Sequence, residues 1–287
     1  MTAGDTDLST GALEDVAYLS RSANRIAILD ALADGSFTRG ELADLTGASR
    51  TTLDRVVNEL EARGWAERTT EGTYVATAQG THLMEQFRPF VDSVEALRRL
   101  GEAVAWLPRD ELSVGLEHFS DAVVRRPEAD DPVEAVEFMV ELLRNTTEFR
   151  VLTHLMPPEP LGATLQERAG SSGVTLGGVV TDELVDKLGA RPERAERWRT
   201  LIEAGADVHR TEGPLPCNLW VFDETVLVKN SGPEPIDESY GVPIVSEDET
   251  VRAWAHGLID RWKDVATRVD AEAFDEGAPV SGEQSVE

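Results

Sequence analysis

The stretch from Thr38 to Gly64 limits the possible folds of this chain more than any other. Thr38 with Glu41 three residues later is a capping-box pair, in which each side chain satisfies a backbone donor left open at a helix start. The helix it opens is short, through Leu45, and Gly47 turns the chain. Ser49 is placed to cap a second helix, which Gly64 stops after Arg63. Ala43, Gly47 and Leu53 stand four and six residues apart. Two helices packed at a sharp angle need a small residue, a turn residue and an apolar anchor at such intervals, so the spacing predicts a helix-turn-helix. Leu53, Val56, Val57 and Leu60 recur at helical period and form the buried stripe. Arg50, Thr51, Asp54, Arg55 and Asn58 are thereby left on the opposite face.

The flanks fit a winged variant of that motif. Apolar residues from Leu13 to Leu32 predict one helix ending at Gly35. After Gly64, two extended runs, Trp65–Arg68 and Thr73–Thr77, are joined through Thr-Glu-Gly as a hairpin, where a winged helix carries its wing. A stripe of Leu83, Phe87, Phe90, Val94, Leu97 and Val104 follows, with Pro89 expected to break or restart the helix. It suits a dimerisation helix or a bridge between domains. Dimerisation is favoured, because half-site recognition uses a two-fold partner.

Arg and Asn hydrogen-bond base edges, and hydroxyls near a helix start reach phosphates. The expected partner is therefore double-stranded DNA. Arg50, Thr51, Arg55 and Asn58 would read the major groove, with Ser49, Thr51 and Thr52 near phosphates. Arg68, Thr69, Thr70 and Tyr74 are the candidate backbone contacts of the hairpin. The competing reading is an adaptor that uses the winged helix only for protein contacts.

Charge argues against nucleic acid at first sight. The chain holds 54 acids against 27 bases, a net of −27, where a DNA binder normally shows a basic footprint. Of the 27 bases 24 are Arg, and the acids are spread along the chain. A heavily carboxylated, Lys-poor surface suits very high salt, where repulsion is screened within roughly 3 Å at 1 M. This pattern is similar to that of extremely halophilic archaeal proteins. Residues 1–88 hold 8 Arg and 14 acids, a net of −6, which leaves −21 to the other 199 residues. From Ser49 to Arg63 three Arg face three acids, so acidity relaxes mildly where DNA is expected.

The remainder reads as alternating helices and strands. Residues 109–145 look helical, with stripes at Leu112, Leu116, Phe119, Val123 and at Val133, Val136, Val140, Leu143. Strands are expected at Phe149–Leu155, Val174–Thr181, Asp207–Arg210, Leu219–Phe222, Thr225–Val228 and Pro243–Val245. Helices are expected near 161–170, over 191–204 and over 247–270. This predicts an α/β domain, α+β for the whole chain. The expected boundaries are 11–80 for the winged helix, 81–108 for the linker or dimerisation helix, 109–270 for the α/β domain and 271–287 for a disordered acidic tail, with residues 1–10 frayed. A 41% hydrophobic content excludes a wholly disordered chain, and one cysteine excludes a disulfide framework. Without a long apolar run or a basic leader, the expectation is a cytoplasmic protein with no membrane partner.

Residues 20–80 resemble the winged helix-turn-helix of archaeal transcriptional regulators, on the stretch ELADLTGASRTTLDRVVNELEARGW and the closing TAQG. Residues 110–265 resemble the middle domain of the archaeal methanogenesis-regulatory proteins, on FRVLTHLMPP, GADVHRTEGPLPCNLWVFDETVLVKN and DETVRAWAHGLIDRWK. The resemblance implies a one-component regulator whose second domain senses an unknown small-molecule effector or supports a homodimer. Related archaeal sugar-sensing regulators carry a domain similar to phospholipase D. That signature needs His and Lys at fixed distances before an Asp, the first as nucleophile, the second to hold developing charge. With its Asp on Asp223, Pro216 and Asn218 fall at those positions, and neither can act. No catalytic residue, cofactor or metal is therefore expected, and a phosphoester-acting enzyme is the weaker alternative. The candidate effector contacts are His154, Thr181, Cys217 and Asn218. His154 ends a strand before a Pro-rich loop, where α/β sites gather, against the plain reading of a capped or solvated His. For Cys217 the plain reading is a small buried hydrophobe.

Overall fold

A computed structural model describes residues 9–125, 134–169, 171, 173–230 and 243–274. The chain divides into two compact units, Met1–Val91 and Asp92–Glu287.

In the first unit, the helix expected from Leu13 to Leu32 is two helices, α1 (Thr10–Ser20) and α2 (Ala23–Asp34). The polar run Ser20-Arg21-Ser22 interrupts it. Ser22 is extended (φ −155°, ψ 120°), and the Ser20 hydroxyl donates back to the Val16 carbonyl at 2.8 Å, a bond that competes with helix continuation. Next come α3 (Arg39–Thr46) and α4 (Arg50–Ala62). The capping box forms as expected: the Thr38 amide donates to Glu41 Oε2 at 2.7 Å, and the Glu41 amide to Thr38 Oγ1 at 3.3 Å. Gly47 turns the chain at φ 66°, a left-handed conformation that glycine adopts without cost. Strands β1 (Ala66–Arg68) and β2 (Tyr74–Ala76) pair antiparallel as the wing, and Phe37 exchanges both backbone bonds with Tyr74 at its other edge. Leu19, Ile28, Leu29, Leu32, Leu42, Leu53, Val56, Val57 and Leu60 form the core of this unit.

Helix α5 (Ala78–Leu100) passes through Pro89 without the expected break. The missing amide would have reached the carbonyl of Glu85, an exposed residue, so that carbonyl can turn to water. Met84 and Phe87 belong to the first unit's core, and Ala96 and Leu100 to a core of the second.

Among the described residues the second unit is built on an eight-stranded mixed sheet in the order β10-β6-β5-β4-β7-β8-β9-β3. The strands are β3 (Val123–Val124), β4 (Glu148–Thr153), β5 (Thr175–Thr181), β6 (Asp207–Thr211), β7 (Cys217–Phe222), β8 (Thr225–Asn230), β9 (Ile244–Ser246) and β10 (Thr267–Arg268). β4, β5 and β6 run parallel; every other pairing is antiparallel. Alternate residues supply two cores. Leu152, Val179, Leu219 and Val228 pack with α10 (Glu249–Val265), while Phe149, Leu176, Val180, Trp220 and Leu227 pack with α6 (Glu134–Asn145), α7 (Glu159–Ala169), α8 (Asp182–Gly189) and α9 (Pro192–Glu203). Burial on both faces explains why β7 is apolar at nearly every position instead of alternating. The fold is α+β overall, with an α/β second unit.

Three expectations fail here. Residues 109–125 are not helical but hold a 3-10 turn (Leu116–Phe119) and β3; Phe119 alone of that stripe is fully buried, and Val123 is exposed. Helix α8 was not expected; its start is the Thr181 side chain, which accepts from the Leu184 amide. The last helix ends at Val265, so that Thr267–Arg268 can pair with β6, and Ala271–Phe274 forms a 3-10 turn with Phe274 buried where a tail was expected. The rest of that tail and residues 1–8 lie outside the described residues. No helix among the described residues is long and apolar enough to cross a membrane.

Gly177 and Gly178 lie within β5 and form no phosphate loop. Gly178 sits at φ 146°, and a Cβ there would stand 2.0 Å from the Val151 carbonyl oxygen of β4. Gly178→Ala should therefore cost about 2–4 kcal/mol in denaturant unfolding, from backbone strain plus overpacking.

Candidate functional site

The outer face of α4 is built by what its inner face buries. Leu53, Val56, Val57 and Leu60 are 0–1% exposed, so Arg50, Thr51, Arg55 and Asn58 stand in solvent on the other side. Ser49 caps the helix by accepting from the Thr52 amide at 3.3 Å, and the two hydroxyls share a bond of 2.9 Å. Arg50 makes no ion pair among the described residues. Arg55 pairs with Glu59 at 3.0 Å, and Asp54 is taken up by Arg39 of α3, also at 3.0 Å.

Glu59 is the hub of this unit, which the sequence reading missed. It accepts from the Tyr18 hydroxyl of α1 at 2.9 Å, from Arg25 of α2 at 3.3 Å and from Arg55. Burial alone would raise its carboxyl pKa, but these donors together hold it below the usual range. Burial and the bond to Glu59 push the Tyr18 phenol up to about 12. Arg25 and Arg63 lie 4.0 and 3.8 Å from the centre of the Tyr18 ring, a cation–π arrangement. The only sequence signal was a Tyr, two Arg and a Glu on three different helices, which no local spacing relates.

On the wing, Arg68 and Thr70 are exposed, while Thr69 shares a 2.7 Å hydroxyl bond with Thr73 across the turn. Tyr74 needs correction. It is 4% exposed, packs in the core and carries Arg39 and Arg68 near its ring at 5.2 and 5.9 Å, so its side chain is not presented outward.

In the second unit, three of the four effector candidates share one end of the sheet. Thr153 Oγ1 and the His154 amide both donate to Asn218 Oδ1, at 2.7 and 3.1 Å, which ties the end of β4 to the start of β7. Asn218 is fully buried, and Lys229 stands opposite it on β8, itself 6% exposed. Thr181, at the end of β5, is held by its bond to the start of α8. Burial holds the half-buried His154 below the usual histidine pKa; Lys229 lowers it further while Glu183 opposes. The sequence reading missed Lys229 because a buried Lys has no sequence signature beyond its apolar surroundings, and Glu183 because it stands exposed on the unexpected helix α8. Cys217 is the correction. One residue from Asn218, it projects to the opposite face of the sheet, into the core with Leu219 and Val228, and burial pushes its thiol up to about 12.

Asp223, the residue aligned with the phospholipase D signature, has a structural task. At φ 43° it turns the β7–β8 hairpin, and its carboxylate accepts from the Thr147 and Glu148 amides at 3.0 and 2.8 Å and from the Thr147 hydroxyl at 3.0 Å. Burial opposes the charge, but these donors prevail and hold its carboxyl below the usual aspartate value. A depressed folded-state pKa stabilises the fold above the unfolded value and loses that contribution as pH falls through the folded one. Asp223→Ala should cost about 2–4 kcal/mol by loss of charge-assisted bonds and of a residue tolerant of the left-handed turn. Asp223→Asn should cost less and remove part of the acid-side slope when unfolding is measured against pH.

Residues 13–99 match the family described as the HVO_A0261 N-terminal domain, and residues 132–265 match the middle domain of the methanogenesis regulatory protein FilR1. Both matches agree with the resemblance to archaeal regulators; neither is a phospholipase D family, and that similarity is unsupported. Among solved structures the chain is similar to TrmBL2, described as an archaeal chromatin protein with a novel mode of DNA binding, at 16% identity and a TM-score of 0.40, over 88% of this chain and 98% of that one. No curated protein matches the chain.

Proposed function

We propose that this chain, whose two parts match the HVO_A0261 N-terminal domain and the FilR1 middle domain, recognises double-stranded DNA sequence-specifically through its first unit and senses an effector through its second. The observation that carries the DNA reading is the α4 face. Arg50, Thr51, Arg55 and Asn58 are exposed on one side of a helix whose other side is wholly buried, beside a wing that exposes Arg68 and Thr70. Such a helix enters the major groove, Arg to guanine and Asn to adenine edges, with Ser49, Thr52 and the wing positioning the backbone. Arg55 leaves Glu59 on binding, and Glu59 keeps Tyr18 and Arg25, so α4 stays in place.

The α5 face supports a homodimer. Phe90, Val94 and Leu97 recur at helical spacing and are 56%, 40% and 43% exposed, and an apolar stripe of this kind on a surface helix needs a partner. A second copy is the partner that half-site recognition supplies. The sensing reading rests on Thr153, His154, Asn218 and Lys229 gathered at the carboxyl end of β4, the edge at which open α/β sheets take ligands. The net charge of −27 fits a cytoplasm of high salt, where the protein works with acidic repulsion screened.

Replacing both Arg50 and Arg55 by Ala should lower operator affinity in concentrated KCl by about a hundredfold or more, since each bidentate base contact is worth about 1–3 kcal/mol. Unchanged affinity for a genomically selected site, with the fold intact, removes the DNA assignment. Phe90→Glu with Leu97→Glu should halve the mass measured by light scattering; an unchanged mass removes α5 as the dimer surface.

A further inference from the structure

The start of α9 gathers positive charge in a chain that is otherwise acidic. Between Lys187 and Arg199 there are five bases (Lys187, Arg191, Arg194, Arg197, Arg199) and two acids (Glu193, Glu196), a local net of 5 − 2 = +3 against −27 overall. Arg191, Arg194 and Arg197 follow one another at intervals of three, along one side of the helix start. With Glu159, Pro192 and Glu193 they line a cavity of about 430 Å³.

Two helix starts open onto this cavity, since Glu159 begins α7 and Pro192 begins α9. The first amides of a helix carry partial positive charge and lack intrahelical acceptors. Arg191, at the N-cap of α9, gives them no side-chain acceptor. α7 leaves the end of β4, and α9 returns to the beginning of β6, so both starts lie at the carboxyl edge of the parallel strands.

The three arginines differ in their commitments. Arg197 is engaged: its two terminal nitrogens reach both carboxylate oxygens of Glu159, one of them at 3.2 Å, and this bond holds the Glu159 carboxyl below its usual range. Gly162 leaves room for that pair, because a Cβ there would stand 2.8 Å from Arg197 Nη1. Arg194 is different. Its Nη1 is buried and has no hydrogen-bond partner among the described residues. That nitrogen keeps a donor that no acceptor among the described residues uses, although half-buried Arg194 is near enough to help hold the Glu159 carboxyl below its usual range.

We propose that this cavity binds a small molecule through its oxyanion groups, a phosphate ester or a polycarboxylate, with Arg191 and Arg194 as its ligands and the Arg197–Glu159 pair as a fixed wall. The planar guanidinium fork matches both phosphate and carboxylate oxygens bidentately. The volume suits a metabolite more than a lone ion. The inference is independent of DNA recognition and of the His154–Asn218 edge, and its test does not involve DNA.

The test is calorimetric titration of the full chain with pyrophosphate and, separately, with citrate, at constant chloride. Saturable one-to-one binding of pyrophosphate identifies phosphate esters as the class, and of citrate polycarboxylates; either outcome supports the site. Arg191→Gln with Arg194→Gln should weaken that binding at least tenfold. Arg109→Gln, which removes one exposed charge elsewhere in the same unit, should leave it unchanged. Arg191→Gln alone, at an exposed position, should already weaken binding severalfold and serves if the double variant does not fold. Failure of both anions to bind, or equal affinity in the parent and the arginine variants, overturns the proposal.

Discussion

A strand buried on both faces must satisfy every backbone group within the protein, and β4 is where the second unit meets that demand. Like β6, it is a strand at which parallel pairing gives way to antiparallel, here with β5 on one side and β7 on the other. Three residues from outside the strand secure it. Asp223 takes up the amides at its beginning, Gly178 lets β5 come close at its middle, and Asn218 collects the donors at its end. The polar group at the end of β4 therefore results from the sheet's own bookkeeping of donors, and the same geometry leaves His154 and Lys229 beside it at the edge.

The first unit solves a different problem, how to hold a helix firmly by one face and leave the other free. Burial of Leu53, Val56, Val57 and Leu60 supplies the force, and at about 1.5–3 kcal/mol for each buried side chain it dominates the polar contacts. Direction comes from Glu59, which joins α1 and α2 to α4 through Tyr18 and Arg25. An exposed ion pair such as Arg55–Glu59 adds only about 0.3–0.5 kcal/mol, so Arg55 can exchange its partner at little cost.

Sequence periodicity revealed the parts whose signals are local. The capping box at Thr38, the turn at Gly47 and the stripe of α4 are each determined within a few residues, and all are found where expected. What escaped depends on distant partners. Tyr74 reads as an amphipathic residue on a wing, but its burial is set by Phe37 and by Arg39 from another element. Cys217 and Asn218 are neighbours in sequence and yet face opposite sides of the sheet, so only the pleat separates core from edge. The helix expected across 109–125 carried apolar residues at the right intervals, but short 3-10 and strand segments take them up in other ways. Glu59 is one of three acids among the arginines of α4 and its end, and nothing nearby in sequence announces that Tyr18 and Arg25 converge on it.

The contact between Tyr18 and Glu59 also bears on tolerance of alkali. A phenol with a pKa of about 12 in the fold, against 10.0 when free, keeps its proton through mildly alkaline solution and so goes on donating to Glu59. Its stabilising contribution is complete below about pH 10 and fades only as the medium rises through about 12. The link from α1 to α4 thus outlasts the pH range in which ordinary carboxylates and imidazoles titrate, and it weakens only in strong alkali.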